Sequence, residues 1–408
     1  MSGRGGRVTF AGKKVEGVMR RARCDPPEPR RLVKQILVRT SSALKPDQSW
    51  ETQLMTIDLT GGYDSTFDYL LSGCPDNPKM RDSVSMWIQD NSGGFGLPRF
   101  CIEAVAGEWN NRGIQANIAF PDGRVLIGAG GFDFDEPKMR DGRQVTLNAG
   151  PLTFEMMEPM RHWRMTFDGS AYETTVFDQA KGVIDGPRRH VRIEVDTRMA
   201  APPWIMGEKL AGKTDATAKA VGAVGGHRHE QLFRCTGYVA IDGEPERRLE
   251  GTGSRIRRYG DRDVGEFPGH CWMSALFPSG KAFGINAFPP RLDGTPAFSE
   301  AMVFDGREKK YGKVIEAPWM TRFEPQGGVV DLLLEMDDGE RVAITGRTRN
   351  STFIAKGSPM FGNWTFGGGP HGMALPFHQG DALYTMGGES AYGMIERSLP
   401  VERWEVRP

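Results

Sequence analysis

The residues best suited to acid–base chemistry lie between Gly225 and Ala275. This stretch contains three of the seven histidines and a group of closely spaced arginines. A neutral imidazole takes up a proton near physiological pH, and a guanidinium stabilises negative charge that develops on oxygen. The residue types therefore predict proton transfer with oxyanion stabilisation somewhere in this stretch, which contains His227, His229, His270, Arg255, Arg257, Arg258 and Arg262.

The sequence His-Arg-His-Glu near the start of this stretch precedes the run LFRCTGYVAI, which is typical of a β-strand. Neighbouring side chains of a strand point to opposite faces, so only one of His229 and Glu230 is expected to face a barrel interior. His229 is either a general acid or base, or a structural histidine at a strand edge. Two histidines two residues apart, without a third ligand nearby, do not make a zinc site, and we predict no metal.

Three guanidinium groups within four residues repel one another unless anions lie between them. For Arg255, Arg257 and Arg258 this leaves two interpretations. Either nearby carboxylates pair with them in a structural loop, or one arginine faces a pocket and holds a substrate phenolate, carboxylate or carbonyl oxygen. The carboxylates that follow closely in the sequence are Asp261, Asp263 and Glu266.

Tyr259, next to these arginines, is a candidate proton donor or relay. A guanidinium beside a phenol favours the phenolate, so the sequence predicts a lowered pKa for Tyr259. His270 and Trp272 are two residues apart in the run GHCWMSALF and share one face of the predicted strand. They form either the floor of a site for a flat ligand or an ordinary core pair. Glu389 in GGESAYG either caps the pocket or is a strand-end carboxylate.

Further aromatic residues indicate an interior suited to aromatic or polyene ligands, although core packing accounts for most of them. They include Trp163, Trp204, Trp319 and Trp364. The candidate catalytic residues are Tyr259, Arg255, Arg257, His229 and His270. The candidate substrate-binding residues are Trp272, Asp261, Glu230, Trp364 and Glu389.

The composition limits the classes of partner. The 408 residues carry 52 basic and 52 acidic side chains, a balance that favours neither nucleic acid nor an anionic membrane. No run approaches the about 20 apolar residues of a membrane helix, and the N-terminus lacks the apolar core of a secretory signal. Five scattered cysteines without a CxxC motif are expected to be reduced. We expect a cytoplasmic protein that binds a small molecule, and leave its oligomeric state, a homodimer included, open.

Short alternating runs that end in a Gly- or Asp-containing turn recur from residue 49 onward, and they predict antiparallel β-hairpins. The fold class expected is therefore all-β, two barrels or sandwiches packed together with few short helices. The hairpins are IQANIAFPDGRVLIGAGGF, HWRMTFDGSAYETTVF, GYVAIDGEPERRLEGTG, SALFPSGKAFGINAF and DLLLEMDDGERVAITGRT.

The predicted organisation has four parts. Residues 1–48 form a basic, partly disordered segment, because twelve of the first 45 residues are Lys or Arg and no apolar period is present. Residues 49–208 form one β-domain and residues 227–408 a second. The small, glycine-punctuated residues 209–226 connect them.

Five motifs, found in order between residues 80 and 400, resemble those of a known family. They are GPLTFEMMEPMRHWRMTFDG, HRHEQLFRCTGYVAIDG, LEGTGSRIRRYGDRD, HCWMSALFPSGKAFGI and GGESAYGMIERS. The resemblance is to the two-domain lipocalin-like proteins related to carotenoid 1,2-hydratase (hydroxyneurosporene synthase) and the AttH group. It implies two lipocalin-like antiparallel barrels, a ligand pocket within them or at their junction, and hydratase, dehydratase or pericyclic cyclase chemistry without a bound redox cofactor.

One motif of this family reads Gly-x-Gly-x-Arg-Asp-His-Ser-Trp-Gly-x-Arg. The glycines and flanking arginines are kept here, whereas Ile256 and Arg257 replace the Asp-His pair that would move a proton. The resemblance therefore supports the fold more strongly than hydration. The matching residues are Gly251, Gly253, Arg255, Gly260 and Arg262.

These observations predict a cofactor-independent lyase that eliminates or adds water, or releases a small carbonyl fragment such as formaldehyde. Its substrate is an aromatic, phenolic or isoprenoid small molecule in an apolar barrel pocket. No cofactor is expected, because the glycine-rich GGGPHG at 367–372 lacks the lysine of a phosphate loop and the context of a dinucleotide site. The alternatives are a non-catalytic carrier of hydrophobic ligands and a cyclase or isomerase of the same fold.

Overall fold

The computed structural model describes residues 57–180, 186–208, 226–261, 268–294, 297–354 and 377–405. The basic segment 1–48 lies outside the described residues, as do Trp364, Arg262, Asp263 and Glu266. Strands dominate the described ranges, and the predicted all-β class is confirmed. None of the helices in these ranges is long or apolar enough to cross a membrane.

The strands of the first half, in chain order, are β1 (Met80–Asp90), β2 (Gly96–Val105), β3 (Arg112–Ala119), β4 (Arg124–Phe132), β5 (Met139–Arg140), β6 (Arg143–Gln144), β7 (Thr146–Ala149), β8 (Leu152–Glu158), β9 (His162–Thr175), β10 (Arg188–Met199), β11 (Trp204–Ile205), β12 (His227–Ile241) and β13 (Arg247–Asp261). The strands of the second half are β14 (His270–Leu276), β15 (Ala282–Ala287), β16 (Ser299–Phe304), β17 (Lys309–Glu316), β18 (Leu332–Met336), β19 (Arg341–Ile354), β20 (Phe377–Met386) and β21 (Glu389–Ser398). The helices are α1 (Val176–Ala180) and the 3-10 helices Ser65–Asp68, Ala106–Glu108 and Val401–Arg403.

The first sheet runs in the order β10-β12-β13-β1-β2-β3-β4-β9-β8-β7. An additional pairing of β9 with β10 joins the two ends of the path from β10 to β9, so this part of the sheet closes on itself. The sequence of β10 explains which face of this sheet is buried. Val191, Ile193 and Val195 alternate with polar residues, and this period of two places their side chains in the core. The second sheet, β14 to β21, is a closed barrel.

Both interiors are filled by the protein's own apolar side chains. Phe100, Trp163 and Phe233 are fully buried in the first core, and Phe283 and Tyr384 in the second. Small barrels are packed in this way because side chains from all strands meet along the axis. A functional site is therefore expected at the ends or on the outer faces of the barrels rather than along their axes.

Four of the five predicted hairpins are confirmed, at β3–β4, β12–β13, β14–β15 and β18–β19. The fifth prediction is wrong, because HWRMTFDGSAYETT is one continuous strand, β9. Gly169 does not turn the chain there. It pairs with Val191, and a Cβ on it would lie 2.6 Å from Pro151, so this glycine admits a close neighbour.

Strand pairing corrects the predicted boundary between the halves. The strands on both sides of residues 209–225, which lie outside the description, pair within the first sheet: β10 and β11 with β12, and β12 with β13. The change of sheet falls between Asp261 and His270, one hairpin later than predicted. A long connection with turn composition need not separate domains, because it can also join neighbouring strands of one sheet. Both sheets belong to one compact unit, Ser49–Pro408.

Candidate functional site

The pairing of β12 with β13 divides the predicted site residues between two faces of the first sheet. His227 pairs with Tyr259, and His229 with Arg257, so their side chains share the face that also carries Arg255. The intervening residues of both strands point to the other face, toward the second barrel. The prediction that His229 and Glu230 face opposite ways is therefore confirmed.

Asp68, at the end of the 3-10 helix Ser65–Asp68, is the centre of the first face. Its side chain is fully buried and accepts four hydrogen bonds. Oδ1 accepts from Arg255 Nη1 at 2.5 Å and from His229 Nε2 at 3.1 Å. Oδ2 accepts from the Met160 backbone N–H at 2.7 Å and from Trp163 Nε1 at 3.0 Å. We call Asp68, Trp163, His229, Gln231 and Arg255 the Asp68 cluster.

The electrostatics of this cluster favour a carboxylate. Burial alone would raise the pKa of Asp68, but the Arg255 guanidinium and the bond from His229 outweigh it and hold the pKa far below its usual range. Arg255 is in turn fixed by Gln231 Oε1 at 3.0 Å, and its guanidinium carbon lies 4.6 Å from the Trp163 ring centre. The cluster is a rigid acceptor at the end of the first barrel.

A chain of two histidines leads outward from Asp68. His229 is buried, and its Nδ1 lies 3.1 Å from Nε2 of the half-buried His227. Burial lowers the pKa of both, that of His227 to about 4 with help from His229 and Arg257. Both imidazoles are therefore neutral at pH 7, and each carries one N–H and one lone pair.

The His227 ring lies between two other aromatic rings. Its centre is 4.4 Å from that of Phe67 and 5.0 Å from that of Tyr259, the latter stacked with an interplanar angle of 28°. The predicted lowering of the Tyr259 pKa is wrong. Burial raises this pKa and outweighs the opposing effect of Arg257, whose guanidinium carbon lies 5.1 Å from the ring centre. Tyr259 is therefore a protonated phenol at neutral pH, not a tyrosinate.

Among the described residues, the carboxylates that pair with these arginines come from other parts of the chain than Asp261, while Asp263 and Glu266 lie outside the description. Arg255 pairs with Asp68, Arg257 pairs with buried Asp82, and Arg258 Nη2 lies 2.5 Å from Glu103 Oε1. Asp261 is exposed at the end of β13, where Asn77 donates to it at 3.5 Å. Each arginine is separated from its partner carboxylate by at least 155 positions in the chain, so proximity in the sequence could not identify the pairs.

The other face of β12 and β13 meets the outer face of the second barrel in a second polar group, the junction cluster. Arg228 Nη2 donates to Glu230 Oε1 at 2.6 Å, and Asn286 Nδ2 donates to the same oxygen at 2.9 Å. The Arg228 guanidinium carbon lies 4.2 Å from the centre of the Trp272 ring. All four side chains are buried. Glu230 and Trp272 are therefore close together, but apart from His229 and Tyr259.

His270 also belongs to the junction cluster. Its Nδ1 lies 2.7 Å from Ser398 Oγ and its Nε2 3.1 Å from Glu396 Oε1, and its ring centre is 4.5 Å from that of Trp272. The shared face of His270 and Trp272 is thus confirmed. Burial lowers the pKa of His270, although Glu396 opposes this.

A row of side chains runs across neighbouring strands on the outer face of the second barrel. Glu396 pairs with Trp272, Trp272 with Asn286, and Asn286 with Glu300. Burial, together with Glu230 and Glu208, raises the pKa of Glu300 to about 7. Glu300 Oε2 accepts from the Gly207 backbone N–H at 3.0 Å, while Oε1 is buried without a hydrogen-bond partner among the described residues.

Glu389 lies apart from both clusters, at the β20–β21 turn. It accepts from the Ser279 backbone N–H at 3.0 Å and lies 3.8 Å from Lys281 Nζ. This arrangement is that of a strand-end carboxylate. In the part of the chain that the structure describes, no three His, Cys, Asp or Glu side chains are arranged to hold a metal ion.

The sequence interpretation missed Asp68, the residue on which the first cluster depends. The segment 63–72, YDSTFDYLLS, is typical of a short helix, but nothing in it distinguishes Asp68 from Asp64 as the residue that becomes buried. His227 was among the histidines noted, but not among the selected candidates.

Comparison with known proteins agrees with this architecture. The sequence family described as a domain of unknown function (DUF7064) matches residues 74–399. No curated protein matches the sequence.

Among solved structures, CghA with Sch210972 is similar with a TM-score of 0.51 and 10% sequence identity, over 84% of this chain and 97% of that chain. An AttH-like protein, NE1406 of Nitrosomonas europaea, gives a TM-score of 0.46 and 12% identity over 81% and 98% of the two chains. Kievitone hydratase of Nectria haematococca gives 0.40 and 12% over 83% and 95%. The likeness to CghA shows the fold. The relation to carotenoid 1,2-hydratase stays a prediction.

Proposed function

We propose that this chain, which belongs to the family described as a domain of unknown function (DUF7064), is a cofactor-independent lyase that eliminates water from an oxygenated aromatic or isoprenoid small molecule. One observation carries the proposal. The neutral, half-buried His227 ends a hydrogen-bonded chain from Asp68 and stacks on the protonated phenol of Tyr259. A base and an acid thus stand side by side on one face of the sheet.

The reaction that suits this pair is a β-elimination. His227 Nδ1 takes the proton from the carbon next to a substrate carbonyl, and the C–H electron pair becomes the C=C bond. The C–O bond to the β-hydroxyl breaks, and Tyr259 gives its phenolic proton to the leaving oxygen, so that water departs. The proton on His227 then returns to the Tyr259 oxygen, whose transient negative charge Arg257 stabilises.

The surroundings of His227 support an aromatic or polyene substrate. Phe67 and Tyr259 both contact the imidazole, so the surroundings of the proposed base are aromatic, and aromatic rings favour contact with a flat apolar molecule. CghA, which shares the fold, was solved with Sch210972, and this supports a bound small molecule as ligand of the fold. The filled interiors of both barrels favour a site at the barrel end over a deep carrier pocket.

The test is mass spectrometry of candidate β-hydroxy carbonyl compounds, phenolic and isoprenoid, after incubation with the protein. We expect a product lighter by one water. His227→Gln and Tyr259→Phe should each lower the rate by about 100-fold or more, the usual contribution of a general acid or base. His190→Gln is the matched control, because His190 lies on the outer side of β10 and pairs with Asp168.

Other outcomes select the alternatives. A ligand recovered unchanged would indicate a carrier, and a product of unchanged mass a cyclase or isomerase. Loss of a formaldehyde unit would keep the lyase class and change the bond that breaks. Full activity in both His227→Gln and Tyr259→Phe would remove these residues from the mechanism.

A further inference from the structure

We propose that Asp68 is a positioning residue that sets the tautomer of His227 through His229, and so places the lone pair of His227 on Nδ1. This inference rests on the proposed function for its catalytic meaning, but its structural content is tested separately. The chain of hydrogen bonds runs from Asp68 to His229 and from His229 to His227. Asp68 and His229 are buried, and His227 is half-buried.

The first step is the bond between Asp68 and His229. A carboxylate only accepts hydrogen bonds, so the nitrogen 3.1 Å from Asp68 Oδ1, His229 Nε2, carries the proton. Arg255 Nη2 also lies 3.4 Å from this nitrogen, the longer of the two contacts. If Nε2 instead accepted from Arg255, its lone pair would face a carboxylate oxygen at 3.1 Å, which is repulsive.

The second step is the bond between the two histidines. With Nε2 protonated and the ring neutral, His229 Nδ1 is an acceptor. His227 Nε2, 3.1 Å away, must then donate. His227 is neutral as well, so its remaining nitrogen, Nδ1, keeps the lone pair. Among the described residues no hydrogen bond occupies Nδ1.

The third step is the rigidity of Asp68. Its Oδ2 is held by two donors, the Met160 N–H and Trp163 Nε1, and Oδ1 by Arg255. The carboxylate cannot rotate without breaking these bonds. The pattern of donors therefore passes from a fixed acceptor, Asp68, to His227 Nδ1, in the way that a carboxylate fixes an imidazole tautomer in many catalytic sites.

Asp68→Asn tests this chain of reasoning. The oxygen of the introduced amide is best placed at the Oδ2 position, because the opposite orientation would turn the NH2 group toward two fixed donors, the Met160 N–H and Trp163 Nε1. At the Oδ1 position the NH2 group meets one fixed donor, Arg255 Nη1, whose guanidinium must move away while it keeps its bond to Gln231 Oε1. The NH2 group of the amide then faces His229 Nε2, which becomes an acceptor. Both histidines must switch tautomer, and His227 Nδ1 becomes protonated.

The measurement is long-range ¹H–¹⁵N correlation of the full-length protein labelled with ¹⁵N-histidine, in which protonated and unprotonated ring nitrogens have distinct ¹⁵N shifts. Loss of one pattern in His227→Gln assigns the His227 signals. We expect an unprotonated Nδ1 for His227 in the wild type at pH 7 and an unprotonated Nε2 in Asp68→Asn. The wild-type spectrum needs no variant to fold, and a protonated Nδ1 there would overturn the inference.

Trp163→Phe is the matched control, because it removes a donor to Oδ2 and leaves Oδ1 and His229 untouched. We expect it to lower stability without changing the tautomer. If the His227 tautomer switches in both Asp68→Asn and Trp163→Phe, or in neither of them, Asp68 has a purely structural role. If the tautomers behave as inferred while His227→Gln stays active, the proposed function fails and the control of the tautomer by Asp68 stands.

Discussion

The low pKa of His227 sets the pH dependence of the proposed reaction. Burial, His229 and Arg257 lower the pKa of His227 to about 4, and the base works only when neutral. Activity should therefore rise as the pH increases through about 4 and stay level through neutral pH. The burial that raises the Tyr259 pKa keeps the acid protonated over this range.

The check is kcat/KM as a function of pH in short assays, with circular dichroism at each pH to confirm that the protein stays folded. A rising limb centred near the ordinary histidine pKa of about 6.5 would contradict the environment described for His227.

Single residues also show why the site was only partly predictable. The sequence placed Arg257 beside Tyr259 and therefore predicted a lowered pKa, but it could not reveal how far burial desolvates the phenol. It likewise identified His229 as a candidate for proton transfer. Its partner Asp68 lies 161 positions earlier and becomes a neighbour only through the fold.

At the scale of elements, the contact between β12 and β13 holds the His227–Tyr259 pair together. Gly226, just before β12, and Gly260, near the end of β13, both have positive φ, 64° and 134°. A Cβ on Gly260 would overlap the Cα of Gly226. Gly260→Ala should therefore combine backbone strain with a clash, cost about 3 kcal/mol and displace His227 from Tyr259.

Gly243→Ala is the control for this substitution. Gly243 lies in the turn between the same strands with φ of 83°, and a Cβ there meets nothing within 4 Å. Only backbone strain remains, about 1 kcal/mol. Urea unfolding and the elimination assay measure both variants. Equal losses of stability, or an active Gly260→Ala protein, would argue against the close approach as the support of the pair.

The elements themselves were the most predictable feature. Alternation and turn dipeptides identified four hairpins, because each depends on residues adjacent in the chain. Strand β9 was divided wrongly because Phe-Asp-Gly carries a turn signal that pairing with β10 overrides. The docking of the 3-10 helix Ser65–Asp68 onto β12 and β13 has no local signal.

For the whole molecule, we expect the stability of the folded protein to depend on pH through Glu300 at the junction cluster. The pKa of Glu300 is raised to about 7 from an ordinary 4.5, so the folded protein takes up a proton that the unfolded chain lacks between these pH values. The stabilising contribution of the neutral carboxyl is complete below 4.5 and is lost as the pH rises through 7. Glu300→Gln should therefore match the wild type near pH 5 and exceed its stability at pH 8.5 by about 2 kcal/mol.

Denaturant unfolding at the two pH values tests this, with Glu335→Gln as the control. Glu335 lies on β18 at the surface, where Lys313 lowers its pKa, so its removal should give no gain at about pH 8.5. The same glutamine at position 300 keeps an oxygen to accept from the Gly207 N–H, so this bond is retained. A Glu300→Gln protein that is less stable than the wild type at the alkaline pH would contradict this expectation. It would mean that neighbouring cations at the junction stabilise the charged Glu300 carboxylate.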